Sequence, residues 1–389
     1  MDYTIQTKLQ HNDYKCDKET GALSIPLYHT STFHQFDFEA FGKYDYSRSG
    51  NPTREALESI VAELEGGVAG FAFASGMAAI STALLLLSAG DHLLITEDVY
   101  GGTYRMVCQV LNRLGIEHSF VDMTNLREVR QAIRPNTKAF FIETPSNPTM
   151  KVTDIGAVAA LAKGVGALTF VDNTFLTPLL QRPLALGADI VLHSATKFLS
   201  GHSDVVAGLA VVGNEELAER LGFLQNAFGA VLGAHDSWLV LRGLKTLHVR
   251  LEQSQKTANQ IAHFLESHPL VKSVYYPGLK SHKQYRKHKN QATGAGAVLS
   301  FELESGEALK EFLSQVKLPA YAVSLGGVES ILSYPAKMSH AAMPEDERLK
   351  RGISDSLIRL SVGLEQVDDL IADLGQALEK VKIHGRHSA

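Results

Sequence analysis

The stretch "DIVLHSATKFLSGHSDVVAG", residues 189–208, decides how this chain is read. It begins as a short apolar run of buried-strand type, passes Ser194, Thr196 and a single lysine, Lys197, and then turns through glycine. Hiding an ammonium group at the end of a buried strand is expensive. The lysine therefore stands either at an ordinary surface turn or in a pocket that has a use for an amine. Runs of the same kind recur upstream: "GFAFA" from Gly70, "HLLIT" from His92, "HSFVD" from His118, "AFFIE" from Ala139 and "LTFVD" from Leu168. Helix-length segments such as "NLREVRQAI" and "IGAVAALAKGV" lie between them. This alternation predicts an α/β fold with a mainly parallel central sheet and helices on both faces. In such sheets ligands lie beyond the carboxyl ends of the strands, which singles out Ser75, Tyr100, Glu143, Asn147, Asp172 and Lys197.

Near Leu247 the pattern changes. A long amphipathic segment, "LHVRLEQSQKTANQIAHFLESH", leads to "VKSVYYPGL", "GAVLSFEL" and "LIRLSVGLE", predicted strands of a smaller C-terminal α/β or α+β unit with helices to one side. The opening residues around "YDYSRSGNPTR" (44–54) show little periodicity and read as an extended arm of the kind that embraces another subunit. The expected division is an N-terminal arm over 1–55, a large domain over 56–245 and a small domain over 246–389.

Composition narrows the partners. With 389 residues, 45% hydrophobic and 20% charged, the chain has the make-up of a globular protein with room for two domains. A net charge of −5 offers no general attraction to nucleic acid or anionic membrane, so small molecules are the expected partners. The basic run "KSHKQYRKHKN" from Lys280 reads as a solvated surface. The N-terminus lacks an apolar signal region, and the stretch from Met77 to Gly90 is too short to cross a bilayer, so a cytoplasmic protein is expected. Cys16 and Cys108 form no CxxC pair and read as two ordinary thiols, without a disulfide or a zinc site.

Three pieces bear on chemistry. In "FAFASGMAAI" a strand runs through Ser75-Gly76-Met77 into a helix, where free N–H groups favour an anion such as a phosphate. Neither GxGxxG nor the Walker pattern occurs, which argues against a dinucleotide fold or an NTPase. Asp172 follows a strand directly, where a carboxylate can cap a helix, hold a metal or face a cationic ring nitrogen. No His/Asp/Glu cluster of ligand spacing surrounds it, so no metal is expected. Lys197, desolvated in a pocket, would be a neutral amine able to form a Schiff base with an aldehyde. A cofactor with an aldehyde for Lys197, a phosphate for Ser75-Gly76-Met77 and a pyridine nitrogen for Asp172 is pyridoxal 5'-phosphate (PLP). Ser194 and Thr196 would add hydroxyls to the phosphate site.

The chain strongly resembles the PLP enzymes of Cys/Met metabolism: cystathionine γ-synthase, β-lyase and γ-lyase, and methionine γ-lyase. The resemblance rests on "YDYSRSGNPTR", "ASGMAA", "DVYGGTYR", "ETPSNPT", "VDNTF", "HSATKFLSGHSDVVAG", "SLGGVES" and "LIRLSVGLE", spread over nearly the whole chain. It implies the fold-type-I architecture of PLP-dependent transferases. Lys197 would hold the cofactor and move the Cα proton, Asp172 would pair with the pyridinium nitrogen, and Tyr100 would stack on the ring. Gly76, Met77, Ser194 and Thr196 would bind the phosphate, joined by Tyr46 and Arg48 from the arm of a neighbour. The resemblance implies a homotetramer, a dimer of active dimers. Arg359 would be the fork for the substrate α-carboxylate, assisted by Asn147 and the Ser324 region; a structural salt bridge is its rival reading.

Within that family two positions lean toward β-elimination. Methionine γ-lyases resemble "YGCT" after the stacking tyrosine, where this chain has Gly102. Cystathionine γ-synthases and γ-lyases typically carry a glutamate before "SLGG", where this chain has Val323. The run "ESILSYPAKMSHAAMP" is similar to that of β-lyases from Gram-positive bacteria. The expected reaction is cleavage of cystathionine to homocysteine, pyruvate and ammonia in methionine biosynthesis, with γ-synthase or γ-lyase chemistry as the alternative and a non-catalytic PLP-binding protein as the reading from another class.

Overall fold

A computed structural model describes residues 3–11, 16–341 and 343–381. Seven strands form the larger sheet: β1 (Ala69–Phe73), β2 (His92–Thr96), β3 (Glu117–Val121), β4 (Thr137–Glu143), β5 (Leu168–Asp172), β6 (Ile190–Ser194) and β7 (Gly208–Val212). Their order is β1-β7-β6-β5-β4-β2-β3. Strands β2 to β6 pair in parallel, while β7 runs antiparallel to both β6 and β1.

The apolar runs behave as strands buried on both faces. Successive side chains point to opposite sides, so Ala139, Phe141 and Phe170 enter one core with Ala79, Ile80 and Leu84 of the helix Gly76–Leu84. Phe140, Ile142 and Val171 enter the other with Ile155, Val158 and Ala162 of the helix Ile155–Gly164. Strand β7 was absent from the sequence reading, although "GLAVV" is wholly buried. Because β7 is antiparallel, the connection 195–207, which carries Lys197, both leaves and re-enters the sheet at its ligand-binding edge.

The smaller sheet comprises β8 (Val271–Tyr275), β9 (Val298–Leu303), β10 (Ala320–Tyr321), β11 (Ile331–Ser333) and β12 (Leu357–Ser361), ordered β10-β11-β12-β9-β8. It is antiparallel apart from the β10–β11 pair. Period-two alternation divides β12: Ile358 and Leu360 join Leu299 and Phe301 against helices Leu247–Ser267, Gly306–Gln315 and Val367–Glu379. Arg359 and Ser361 point the other way. Helix Leu247–Ser267 bridges the two cores, burying Leu247 and Leu251 under the larger sheet and Ala258, Ile261 and Leu265 under the smaller.

The expected arm is irregular but not without structure. A single bridge joins Thr32 to Tyr46, and Phe36, Phe38 and Phe41 are 93%, 102% and 74% exposed. No described helix is long and apolar enough to cross a membrane.

Candidate active site

The carboxyl edge of the larger sheet and the polar face of the smaller one enclose a cavity of about 460 Å³. Lys197 lies on its wall, and its Nζ donates to Ser324 Oγ at 2.6 Å. Burial, reinforced by the nearby Arg359 charge, pushes the amine down from 10.5 to about 8. Roughly one molecule in ten then carries a neutral amine at pH 7, several hundred times more than at an ordinary lysine. Ser324 has φ of 85°, a region that is costly for a residue with a Cβ. Its carbonyl accepts from Arg359 Nη2 at 2.7 Å, and the N–H of Gly326 donates to Ser361 Oγ at 2.8 Å, which holds the turn in place.

Asp172 ends β5, and its Oδ1 accepts from Thr174 twice, from the backbone N–H at 3.0 Å and from the hydroxyl at 2.5 Å. Burial raises its carboxyl above the ordinary range, partly opposed by the Thr174 donors. Its Oδ2 makes no hydrogen bond among the described residues. A buried carboxylate with one free oxygen on a cavity wall suits a cationic nitrogen. Beside it on β4, Glu143 accepts from the backbone N–H of Tyr100 at 2.9 Å and of Asn147 at 3.2 Å. Burial and the neighbouring Asp172 push the Glu143 carboxyl well above its usual range. Tyr100 presents its ring to the same cavity over Gly102, where a Cβ would come within 2.5 Å of Tyr100 Cε1 and 2.8 Å of Met77 Sδ.

The other end of the cavity is built for an anion. Ser75 caps the helix Gly76–Leu84, its Oγ accepting from the N–H of Ala78 at 3.0 Å. The first N–H groups of that helix, on Gly76 and Met77, have no intrahelical acceptor. A Cβ on Gly76 would stand 2.9 Å from Ser194 Cβ, and one on Gly208 would stand 2.0 Å from the Ser75 carbonyl oxygen. Glycine at both positions lets β6, β7 and the turn close around a small group. The Thr196 hydroxyl is engaged with Ala207, donating to its carbonyl at 3.2 Å and accepting from its N–H at 2.9 Å.

Arg359 crosses from β12 into the cavity. Its Nη1 donates to Asn147 Oδ1 at 2.8 Å, its Nη2 also donates to Ser333 Oγ at 3.1 Å, and its buried Nε has no partner among the described residues. Every acceptor is neutral, so the salt-bridge reading finds no partner carboxylate among the described residues. A buried guanidinium with only neutral acceptors suits an incoming carboxylate. Against it, His340 is buried, and burial followed by the Arg359 charge lowers its ring to about 4, which keeps it neutral.

Eleven of the thirteen residues expected at the site thus line one cavity: Ser75, Gly76, Met77, Tyr100, Asn147, Asp172, Ser194, Thr196, Lys197, Ser324 and Arg359. Tyr46 and Arg48 do not; Arg48 donates instead to the carbonyl of Asn226 at 2.8 Å and to its side-chain oxygen at 2.7 Å. An aldehyde-reactive amine, a carboxylate for a ring nitrogen, an aromatic face and a phosphate-sized turn stand together, so these residues fit PLP. The sequence pattern of the Cys/Met metabolism PLP-dependent enzymes matches residues 6–379. The chain belongs to that family.

Relatives in the family agree over nearly full length. The chain is 66% identical over 379 residues to cystathionine beta-lyase MetC of Bacillus subtilis strain 168, covering 97% of each. It is 53% identical over 376 residues to the cystathionine gamma-lyase of the same organism, covering 97% of this chain and 99% of that one. The crystal structure of a cystathionine gamma-lyase from Lactobacillus plantarum complexed with L-serine superposes with a TM-score of 0.95 at 47% identity, covering 97% of this chain and 99% of that one. The fold is that of the family's PLP-dependent lyases.

Sequence reasoning passed over Thr174, Arg105, Met338 and Ser339, all in the cavity wall, and gave Glu143 no role. Thr174 had a local signal: Asp followed two residues later by a threonine is an Asx-turn pattern, with the acid accepting from the residue two ahead. The others came together only through tertiary packing.

Proposed function

We propose that this PLP-dependent enzyme cleaves the Cβ–S bond of L-cystathionine, which with water gives homocysteine, pyruvate and ammonia. Such a reaction is a carbon–sulfur lyase step of methionine biosynthesis. The observation that carries the reading is that the depressed amine of Lys197 lines one cavity together with Asp172 and Arg359, supported by the 66% identity to a cystathionine beta-lyase. Bound PLP supplies an electron sink for the pair left at the substrate Cα. The residues of the chain do the rest. Lys197 would hold the cofactor through Nζ and, as a neutral amine, would take the Cα proton there and hand a proton on, with Ser324 Oγ fixing where Nζ lies. Arg359 would hold the substrate carboxylate through the fork steadied by Asn147, and the free oxygen of Asp172 would face the ring nitrogen. Tyr100 would cover the ring, and the Ser75–Met77 turn with Ser194 and Thr196 would take the phosphate.

Val323, 64% exposed at the rim, favours β- over γ-chemistry because it offers no carboxylate to steer the substrate amine. The γ-lyase reading stays in view because relatives at 53% and 47% identity bear that name. Tyr46 and Arg48 lie outside their own chain's cavity, and the arm exposes three phenylalanines; both features support an assembly in which a neighbour's arm completes each site, as in the homotetramer that the family resemblance implies. PLP-loaded protein mixed with L-cystathionine, with products identified by mass spectrometry, tests the reading. Pyruvate with homocysteine is expected, whereas 2-oxobutyrate with cysteine would replace it with γ-lyase chemistry.

A further inference from the structure

Two buried carboxylates near the cavity, Asp98 and Glu143, have no cation within ion-pair distance among the described residues. Burying unpaired acids is costly, and Glu143 stands directly beside Asp172 on the neighbouring strand, which adds like-charge repulsion. Their hydrogen bonds cross. Asp98, on the segment from β2 to Tyr100, accepts through Oδ2 from the hydroxyls of Ser146 and Thr149 in the loop after β4. Glu143, at the end of β4, accepts through Oε2 from the N–H of Tyr100 and through Oε1 from that of Asn147. Each segment therefore grips the other with one acid. The two side chains so placed are the aromatic face, Tyr100, and the amide that steadies Arg359, Asn147. The partly buried pair Lys151–Glu97 joins the same two segments at 2.8 Å, and the Lys151 charge also acts on Asp98 without coming within ion-pair distance of it. Two further elements seat on this junction. The Ser300 hydroxyl donates to the carbonyl of Pro148 at 2.7 Å, and the Ser339 carbonyl oxygen lies where a Cβ on Gly101 would be, at 2.2 Å.

We propose that Asp98 and Glu143 form a reciprocal clasp that sets the spacing between Tyr100 and the Asn147–Arg359 fork, so that both acids are positioning residues for the cofactor ring and the substrate carboxylate. A carboxyl group suits this task because its two oxygens carry enough lone pairs to accept from two donors at once, as Glu143 does from the N–H groups of Tyr100 and Asn147 and Asp98 does from the hydroxyls of Ser146 and Thr149. The inference rests on the reading of the cavity as a PLP and amino-acid site, and not on which bond the enzyme breaks.

The test uses the full chain in five forms beside wild type: Asp98→Asn, Glu143→Gln, their double variant, Thr149→Val and Thr149→Ser. Three quantities are measured: the dissociation constant of PLP from the apoprotein, that of glycine from the visible spectrum of the loaded protein, and KM against kcat with L-cystathionine. Asp98→Asn, Glu143→Gln and Thr149→Val are each expected to weaken glycine binding and raise KM about tenfold, with a smaller change in kcat. Thr149→Ser, which keeps the hydroxyl, should stay within about twofold of wild type on all three. The double variant should cost about as much as the worse single one, since either change opens the same clasp. A lower melting temperature with PLP binding, glycine binding and KM all unchanged would make the acids merely structural and overturn the proposal, as would fully additive losses. Should Glu143→Gln fail to fold, the Thr149 pair still decides. Wild type that takes up no PLP would instead defeat the underlying reading of the cavity.

Discussion

Replacing Lys197 with methionine should make the cofactor-free protein more stable at neutral pH while abolishing its activity. Burial and Arg359 lower the amine from 10.5 to about 8. At about 1.4 kcal/mol per pH unit, holding the charged form in the folded protein costs about 3 kcal/mol at pH 7. Methionine fills a similar volume without charge, but it loses the bond to Ser324 Oγ, worth about 1 kcal/mol. The expected gain is therefore about 2 kcal/mol. Its pH dependence is the stronger signature. Because the folded amine has the lower affinity for protons, the unfolded chain binds more protons between pH 8 and 10.5, and wild-type stability rises across that window. The advantage of the variant is full below pH 8 and gone by pH 10.5, where the lost hydrogen bond leaves it the less stable of the two. The assay is the urea midpoint of the apoproteins at one protein concentration and a series of pH values. A variant less stable than wild type at pH 7, or a gain that does not shrink with pH, would refute the desolvated-lysine account.

The same depressed amine sets how fast apoprotein captures PLP: the rate should rise about tenfold per pH unit up to about pH 8 and then level, and a flat profile below that point would contradict it. Arg359→Lys removes the planar fork that reaches Asn147, Ser324 and Ser333, so KM should rise about 100-fold, with kcat moving less, in steady-state assays with L-cystathionine. Gly208→Ala forces its Cβ to within 2.0 Å of the Ser75 carbonyl oxygen, so the phosphate turn must shift and PLP should dialyse away at least about tenfold faster; unchanged retention would show that β7 does not brace the turn.

Much of the site was legible because its signals are local. Lys197, Asp172 and the Ser75–Met77 turn each follow a strand within a few residues, and the apolar runs announce those strands without reference to the rest of the chain. Strand β7 escaped notice because "GLAVV" lies so soon after the lysine loop, and its antiparallel course depends on fitting between β6 and β1. Asp98, a strand-end acid like Asp172, carried no local mark to distinguish it from a helix cap.

By itself the sequence determined most of the sheet-forming segments, their two-sided burial, the family motifs and the strand-end groups proposed to meet PLP, since hydrophobic period and strand-end position are properties of neighbouring residues; β7, β10 and β11 were not among them. Tertiary structure alone decided that Arg359 finds only neutral acceptors among the described residues, that Ser324 Oγ sits 2.6 Å from the lysine amine, and that Asp98 and Glu143 grip each other's segments. Those contacts join residues far apart in the chain, and their spacing is set by the order of strands in two sheets and the packing between them, which no local pattern encodes.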